Sequence, residues 1–398
     1  MAFSDTADIT TGSDVLAAVD KLLPEIGARS AEIEANGDVP EGLMRKIHDT
    51  GTFRMFVPKT HGGIEIDIPT AIEIIARIAS ADGSAGWTAM ICASSSLLVS
   101  RLPRTLYDKI FQDSPEALFS GVAAPKGRGE KVDGGYRVTG RWGFSSGCRH
   151  ADWLLGTCVI TEDGVPLRNE FTGAPLTRSA VMPADAWTIE DTWHVLGMRG
   201  TGSNHTALND VFVPEEQMFD FFGSGACVPG PLYDAAHVWT PLQHAAVALG
   251  IAERSRDELI TGARSAPPSS MTGKTVADRQ LFLHGLAYID AQVKAMRASL
   301  MNFTESRWET ALTGEPMGLD AMIEAVQLGS WLTKSASDMV RWCFELAGPQ
   351  AVYSNSVIQR NLRDIQVANQ HALINQESLI DVGKQLLDLP SAPLAGLQ

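Results

Sequence analysis

The sequence predicts a segregated α+β fold: a helical domain over residues 1–113, an antiparallel β-domain over 114–216 and a helical bundle over 217–398. Three observations predict it. Apolar residues recur at helical spacing before residue 113, alternate with polar ones through the middle, and return to helical spacing on long Ala-, Leu- and Met-rich stretches. Strands and helices occupy separate blocks instead of alternating, which excludes a doubly wound nucleotide-binding sheet on pattern alone.

In the first block, "VPEGLMRKIHDTG" places Pro40 where a first turn tolerates it and Gly51 as a stop, and "IPTAIEIIARIASADG" puts Ile68, Ile72, Ile75 and Ala79 on one face. The next stretch, "SAGWTAMICASSSLLVSRL", is apolar almost all round, so its helix should be buried. In the middle block, "GGYRVTGRWGFSSG", "DWLLGTCVI", "AWTIEDTWHVLGMRG" and "HTALNDVFVP" are short, β-branched and aromatic, separated by Gly, Asn and Asp turns. "PLQHAAVALGIAERSRDELI" and two longer helical stretches then form a bundle. The loops "FFGSGACVPGPLYDA" and "TGARSAPPSSMTGK" are the segments expected to line a cleft.

The chain has 398 residues, of which 44% are hydrophobic and 20% charged, enough for a large core. A formal net charge of −15 without a basic run argues against a nucleic-acid or anionic-membrane surface. Five scattered cysteines without a C-x-x-C suggest neither a disulfide framework nor a zinc site, and fit a reducing cytoplasm. The polar N-terminal residues carry no export signal and no apolar run is long enough to span a membrane.

Several motifs fail on inspection. "GMRGTGSN" precedes a strand and lacks G-x-G-x-x-G spacing, and "TGKT" has Pro268 where a P-loop needs its first glycine. His237 and His244, seven apart on one helix face, read as packing or surface residues, and no G-x-S-x-G elbow occurs.

The tripartite layout, with "YRVTGRWGFSSGCRHADW", "VLGMRGTGSNHTALNDVFVP" and "FELAGPQAVYSNSVIQRNLRDIQ", resembles the acyl-CoA dehydrogenase fold over nearly the whole chain. The resemblance implies a flavin between the β-domain and the bundle, with Phe144, Ser145 and Ser146 at the ring. It also implies that Arg264, Gly348 and Gln350 reach the flavin of a neighbouring subunit in a homotetramer or homodimer, and that Arg363 and Asp364 form the Arg-Asp pair. One departure is informative: where such dehydrogenases commonly carry a catalytic glutamate, this chain has Ala372, with His371 beside it.

That histidine, with "SSGC-x-HA-x-W", is similar to the reduced-flavin monooxygenases of the same fold, the oxygenase components of two-component hydroxylases. The likeness implies reduced FAD, or FMN, supplied as free FADH2 by a separate NAD(P)H-dependent flavin reductase. It implies reaction with O2 to a C4a-hydroperoxide and transfer of the distal oxygen to an aromatic ring. The implied roles are a partner for flavin N5 in Ser146, a proton manager in His371, and apolar walls from Phe144, Trp142 and Trp87. Trp87, Ser94 and His150 are the substrate-binding expectations. Phenol hydroxylases of this group tend to carry a histidine where this chain has Ser94; its absence favours a ring that is nucleophilic without deprotonation, indole or an indole alkaloid. The rival readings are a phenol-type hydroxylase, an acyl-CoA dehydrogenase with a relocated base and a non-catalytic flavin-holding member of the fold.

Overall fold

The computed structural model describes residues 9–389 apart from 171, 172, 222 and 224. Two of these, 222 and 224, belong to a loop expected to line a cleft and lie outside the described residues.

The N-terminal block folds as α1 (Gly12–Ala28), α2 (Ser30–Asn36), α3 (Glu41–Asp49), α4 (Ile68–Ala81), α5 (Gly83–Leu98) and α6 (Arg104–Asp113). Local chemistry sets the boundaries of the central pair. Asp67 accepts the Thr70 N–H ahead of α4, and Asp82 accepts the Ala85 N–H ahead of α5, each satisfying a donor the first turn leaves open. As its composition predicts, α5 is buried nearly all round. The C-terminal block contributes α7 (Pro231–Asp234), α8 (Ala236–Ser265), α9 (Gln280–Leu312), α10 (Leu319–Ala347), α11 (Val357–Ala368) and α12 (Leu379–Leu386). Helices of both blocks share one core with Phe119, Leu155 and Val181 from the sheet.

Between them lie β1 (Phe119–Val132), β2 (Gly135–Ser145), β3 (Trp153–Glu162), β4 (Val165–Pro166), β5 (Thr177–Pro183), β6 (Thr188–Glu190), β7 (Asn204–Pro214) and β8 (Met218–Phe219). They form one eight-stranded sheet in the order β6-β7-β2-β1-β3-β5-β8, with β4 beside β3. The expected antiparallel sheet is in fact mixed, because β1 and β3 run parallel. The reason lies in the turn. β2 returns along β1 as a hairpin, residues 146–152 then cross the start of β1, and β3 sets off along the other edge. The crossing is fastened by Ser120 Oγ donating to the Ser146 carbonyl at 2.6 Å and the Leu118 N–H donating to Asp152 at 2.8 Å.

The sheet carries a second core around Trp142, which is fully buried and donates its indole N–H to the Thr157 carbonyl at 2.8 Å. Its ring lies on Gly127, Gly140 and Gly156, where a Cβ would approach within 2.3, 2.5 and 2.6 Å of ring atoms. Among the described residues no helix is long and apolar enough to cross a membrane, and all five cysteines are unpaired.

Gly127→Ala is expected to lower the unfolding free energy by about 1–3 kcal/mol through overpacking against Trp142. Gly262→Ala, in the exposed part of α8 where an added Cβ meets nothing, should be neutral or slightly stabilising. Urea denaturation of the two variants checks the contrast.

Candidate active site

A cavity of about 790 Å³ opens between the sheet and the helices. α5 contributes Trp87, Ile91 and Ser94, β2 contributes Gly143 and Phe144, α8 contributes His237, Thr240 and His244, and the turn after α11 contributes His371. Among the described residues no Asp, Glu, Lys or Arg lines it. A large, mostly apolar concavity with a few convergent polar groups suits a small aromatic ligand.

The β2 wall depends on a bulge. Trp142 pairs with Thr206 and Ser145 with Asn204, so β2 takes one residue more than β7 over this step. Regular alternation would send Phe144 to the same buried face as Trp142. Instead Phe144 adopts φ +69°, a conformation costly for an aromatic residue, and its side chain is 73% exposed against the edge of Trp193 at 5.8 Å. Trp142, expected as a cavity wall, is core. Ser145, expected at the flavin, points into the sheet and pairs with Thr206 Oγ1 at 3.0 Å.

Ser146 does reach the cavity, and its hydrogen bonds have a direction. Thr201 Oγ1 donates to the Met198 carbonyl at 2.8 Å, so it takes the Ser203 hydroxyl proton at 2.6 Å. Ser203, its one proton engaged, takes that of Ser146 at 2.7 Å, while Trp87 Nε1–H donates to Ser146 Oγ at 3.1 Å. A hydroxyl has one proton and two lone pairs, so Ser146 faces the cavity as an acceptor.

Residues 193–203, which carry Met198, Thr201 and Ser203, are clamped by α11. Asp364 Oδ1 accepts the Met198 N–H at 2.6 Å, and Arg363 donates to the Leu196 carbonyl at 3.0 Å. Gly197 backs onto Arg363 so closely that a Cβ would lie 2.1 Å from its carbonyl oxygen. Burial, reinforced by the nearby charge of Asp82, pushes the Asp364 carboxyl up to about 7.

The second polar group is a pair of imidazoles. His244 and His371 lie with ring centroids 4.2 Å apart, and Trp87 meets both edge-on at 5.1 and 5.6 Å. His244 Nδ1–H donates to the Thr240 carbonyl at 2.8 Å, and His371 Nδ1 accepts the Leu373 N–H at 3.4 Å. Burial lowers His244 to about 4; burial and the neighbouring His244 hold His371 well below the usual imidazole range. Both rings are therefore neutral near pH 7.

Residues 15–102 match the family "Acyl-CoA dehydrogenase, N-terminal domain", and residues 242–376 match "Acyl-CoA dehydrogenase, C-terminal domain". The flavin-dependent monooxygenase, oxygenase subunit HsaA, of Rhodococcus jostii is 27% identical, covering 90% of this chain and 94% of that one. An indole-3-acetate monooxygenase of Pseudomonas putida is 30% identical over 357 residues, 89% of each chain. The chain belongs to the flavin-dependent monooxygenases of the acyl-CoA dehydrogenase fold. The crystal structure of 3-HSA hydroxylase from Rhodococcus sp. RHA1 matches with a TM-score of 0.86 at 26% identity, covering 96% of this chain and 98% of that one.

In this monooxygenase the cavity takes in Phe144, Ser146, Trp87, Ser94 and His371 of the residues the sequence points to. Ser94 donates its proton to Gln243 Oε1. His150 lies outside the lining and hydrogen-bonds Asp38 at 2.9 Å, because β2 ends at Ser145 and the following turn carries the histidine away. Arg264, expected in a loop, stands exposed in the last turn of α8. Gly348 follows α10 with φ +64°, Gln350 is exposed nearby, and neither lines the cavity of its own chain. Sequence reasoning missed His244, Ser203 and Thr201. The seven-residue spacing of His237 and His244, both in the lining, was the available signal. Among the described residues, no lining carboxylate stands in for the residue replaced by Ala372.

The Asp364 shift has a measurable consequence. Its folded value lies above the 3.8 of an unperturbed Asp, so between about pH 4 and pH 7 the native state holds a proton that the unfolded chain releases. Its contribution favours folding at low pH and is lost as pH rises through 7. Asp364→Asn removes that dependence, so the stability of the variant relative to the parent should rise from pH 5 to pH 8; urea denaturation at the two values gives the difference, and a constant difference would contradict the assignment.

Proposed function

We propose that this monooxygenase hydroxylates a neutral, electron-rich heteroaromatic ring of the indole class, using O2 and reduced flavin from a separate NAD(P)H-dependent reductase. The observation that carries the reading is the uncharged cavity whose imidazoles are weak bases. A phenol needs its proton taken to become fully nucleophilic, and a ring nitrogen titrating near 4 is poorly matched to a hydroxyl titrating near 10. Indole carries its electron density at C3 without deprotonation. Ser94, with its own proton on Gln243, offers no base either.

The residues present fit a flavin. Exposed Phe144 offers an apolar face, and Ser146 offers a lone pair suited to the N5–H of a reduced ring. When bound, the flavin supplies the oxygen chemistry that no side chain can. The chain's own contribution is to accept at Ser146, to exclude water with Trp87, Phe144 and Trp193, and to donate from His371 Nε2–H. Reduced FAD is the proposed form, with FMN as the alternative. Exposed Arg264 and Gln350, with Gly348, are proposed to meet the flavin of a neighbouring copy in a homotetramer or homodimer. Unpaired cysteines, four of the five buried, suit a cytoplasmic setting.

Incubation with a flavin reductase, NADH, FAD and indole should yield hydroxylated indole that oxidises to blue pigment; no hydroxylated product from indole or its simple derivatives overturns the reading. Ser146→Ala should raise the hydrogen peroxide released per NADH by about fivefold, the worth of one hydrogen bond of roughly 1 kcal/mol. Ser203→Ala, which frees the Ser146 proton to turn toward the cavity, should act in the same direction. His371→Ala should lower hydroxylation more than NADH oxidation.

A further inference from the structure

Four polar groups at the helical end of the cavity, on α5 and α8, have their protons turned away from it. Ser94 donates to Gln243, Ser95 to the Ile91 carbonyl at 2.8 Å, and Thr240 to the Ala236 carbonyl at 3.0 Å. His244 follows the same rule, since Nδ1–H is held by the Thr240 carbonyl one turn back. In a neutral imidazole the other nitrogen is then a lone-pair acceptor. His244 is 2% exposed, it lines the cavity, and Nε2 has no partner among the described residues. A buried nitrogen without a partner is costly, and the cost is removed when a ligand supplies the missing donor.

We infer that His244 Nε2 receives the ring N–H of the substrate, which makes this histidine the residue that selects N–H heteroaromatics over their N-substituted counterparts. The inference rests on the proposed indole-class activity and adds a specificity to it. Ser94 and Thr240 assist by offering only lone pairs nearby, so a ligand presenting an acceptor at this end finds no donor among the three. Burial lowers His244 to about 4, so the acceptor persists across the neutral range.

Two methylindoles test it: 1-methylindole lacks the N–H, while 2-methylindole has the same added volume with the N–H intact. Titration calorimetry of the full chain, flavin-free and with reduced FAD under nitrogen, should show 2-methylindole binding at least about tenfold tighter, unchanged from pH 6 to pH 9. In His244→Phe, which keeps a ring of similar size without the acceptor, the preference should fall to within about twofold. Equal affinities in the parent protein overturn the inference without reference to any variant, and so does a tenfold preference retained in His244→Phe. Turnover of indole alongside equal affinities would sink this assignment alone. Failure of both ligands to bind, with no hydroxylation of indole, would remove the proposed activity with it.

Discussion

Trp142 lies on three glycines and gives its indole N–H to Thr157, and this anchorage fixes where β2 must take its extra residue. Up to Trp142 the strand serves the interior of the sheet. Beyond it the bulge turns Phe144 outward and lets Ser146 emerge at the cavity after Ser145 has returned to the core. The density of aromatic and hydroxyl residues in this short stretch thus serves two purposes in succession. Without the tightly packed tryptophan, the register that separates them would be less firmly set.

The few polar groups in the cavity carry no charge near pH 7. Its hydroxyls and imidazoles are oriented by carbonyls and by one another, a cooperative arrangement in which each proton has a single place to go. The groups that would carry charge are set behind it. Asp364 and Arg363 hold residues 196–198 from the α11 side and do not themselves line the cavity. Ala372 stands in the lining beside two imidazoles that burial keeps neutral.

Much of this was legible in the sequence, because period and composition report burial directly. The all-round apolar character of α5 and the change of period in the middle block gave the architecture, and the pattern around Ser146 and His371 gave the two sides of the cavity. What escaped was non-local. The parallel pairing of β1 and β3 follows from a seven-residue crossing that no periodicity records. The burial of Trp142 against the exposure of Phe144, two residues on, needs a bulge visible only in the register with β7. His244 was passed over because its meaning depends on a second histidine far along the chain.

The distances in sequence between contacting groups bear on how the protein is made. Trp87 meets Ser146 across 59 positions, Ser146 meets Ser203 across 57, and Met198 meets Asp364 across 166. Such contacts close large loops, and chain entropy makes them late. The 166 residues that lead from Met198 to Asp364 must therefore be made before α11 can fasten the segment bearing Met198. Until then the segment bearing Met198, Thr201 and Ser203 lacks its anchor on α11.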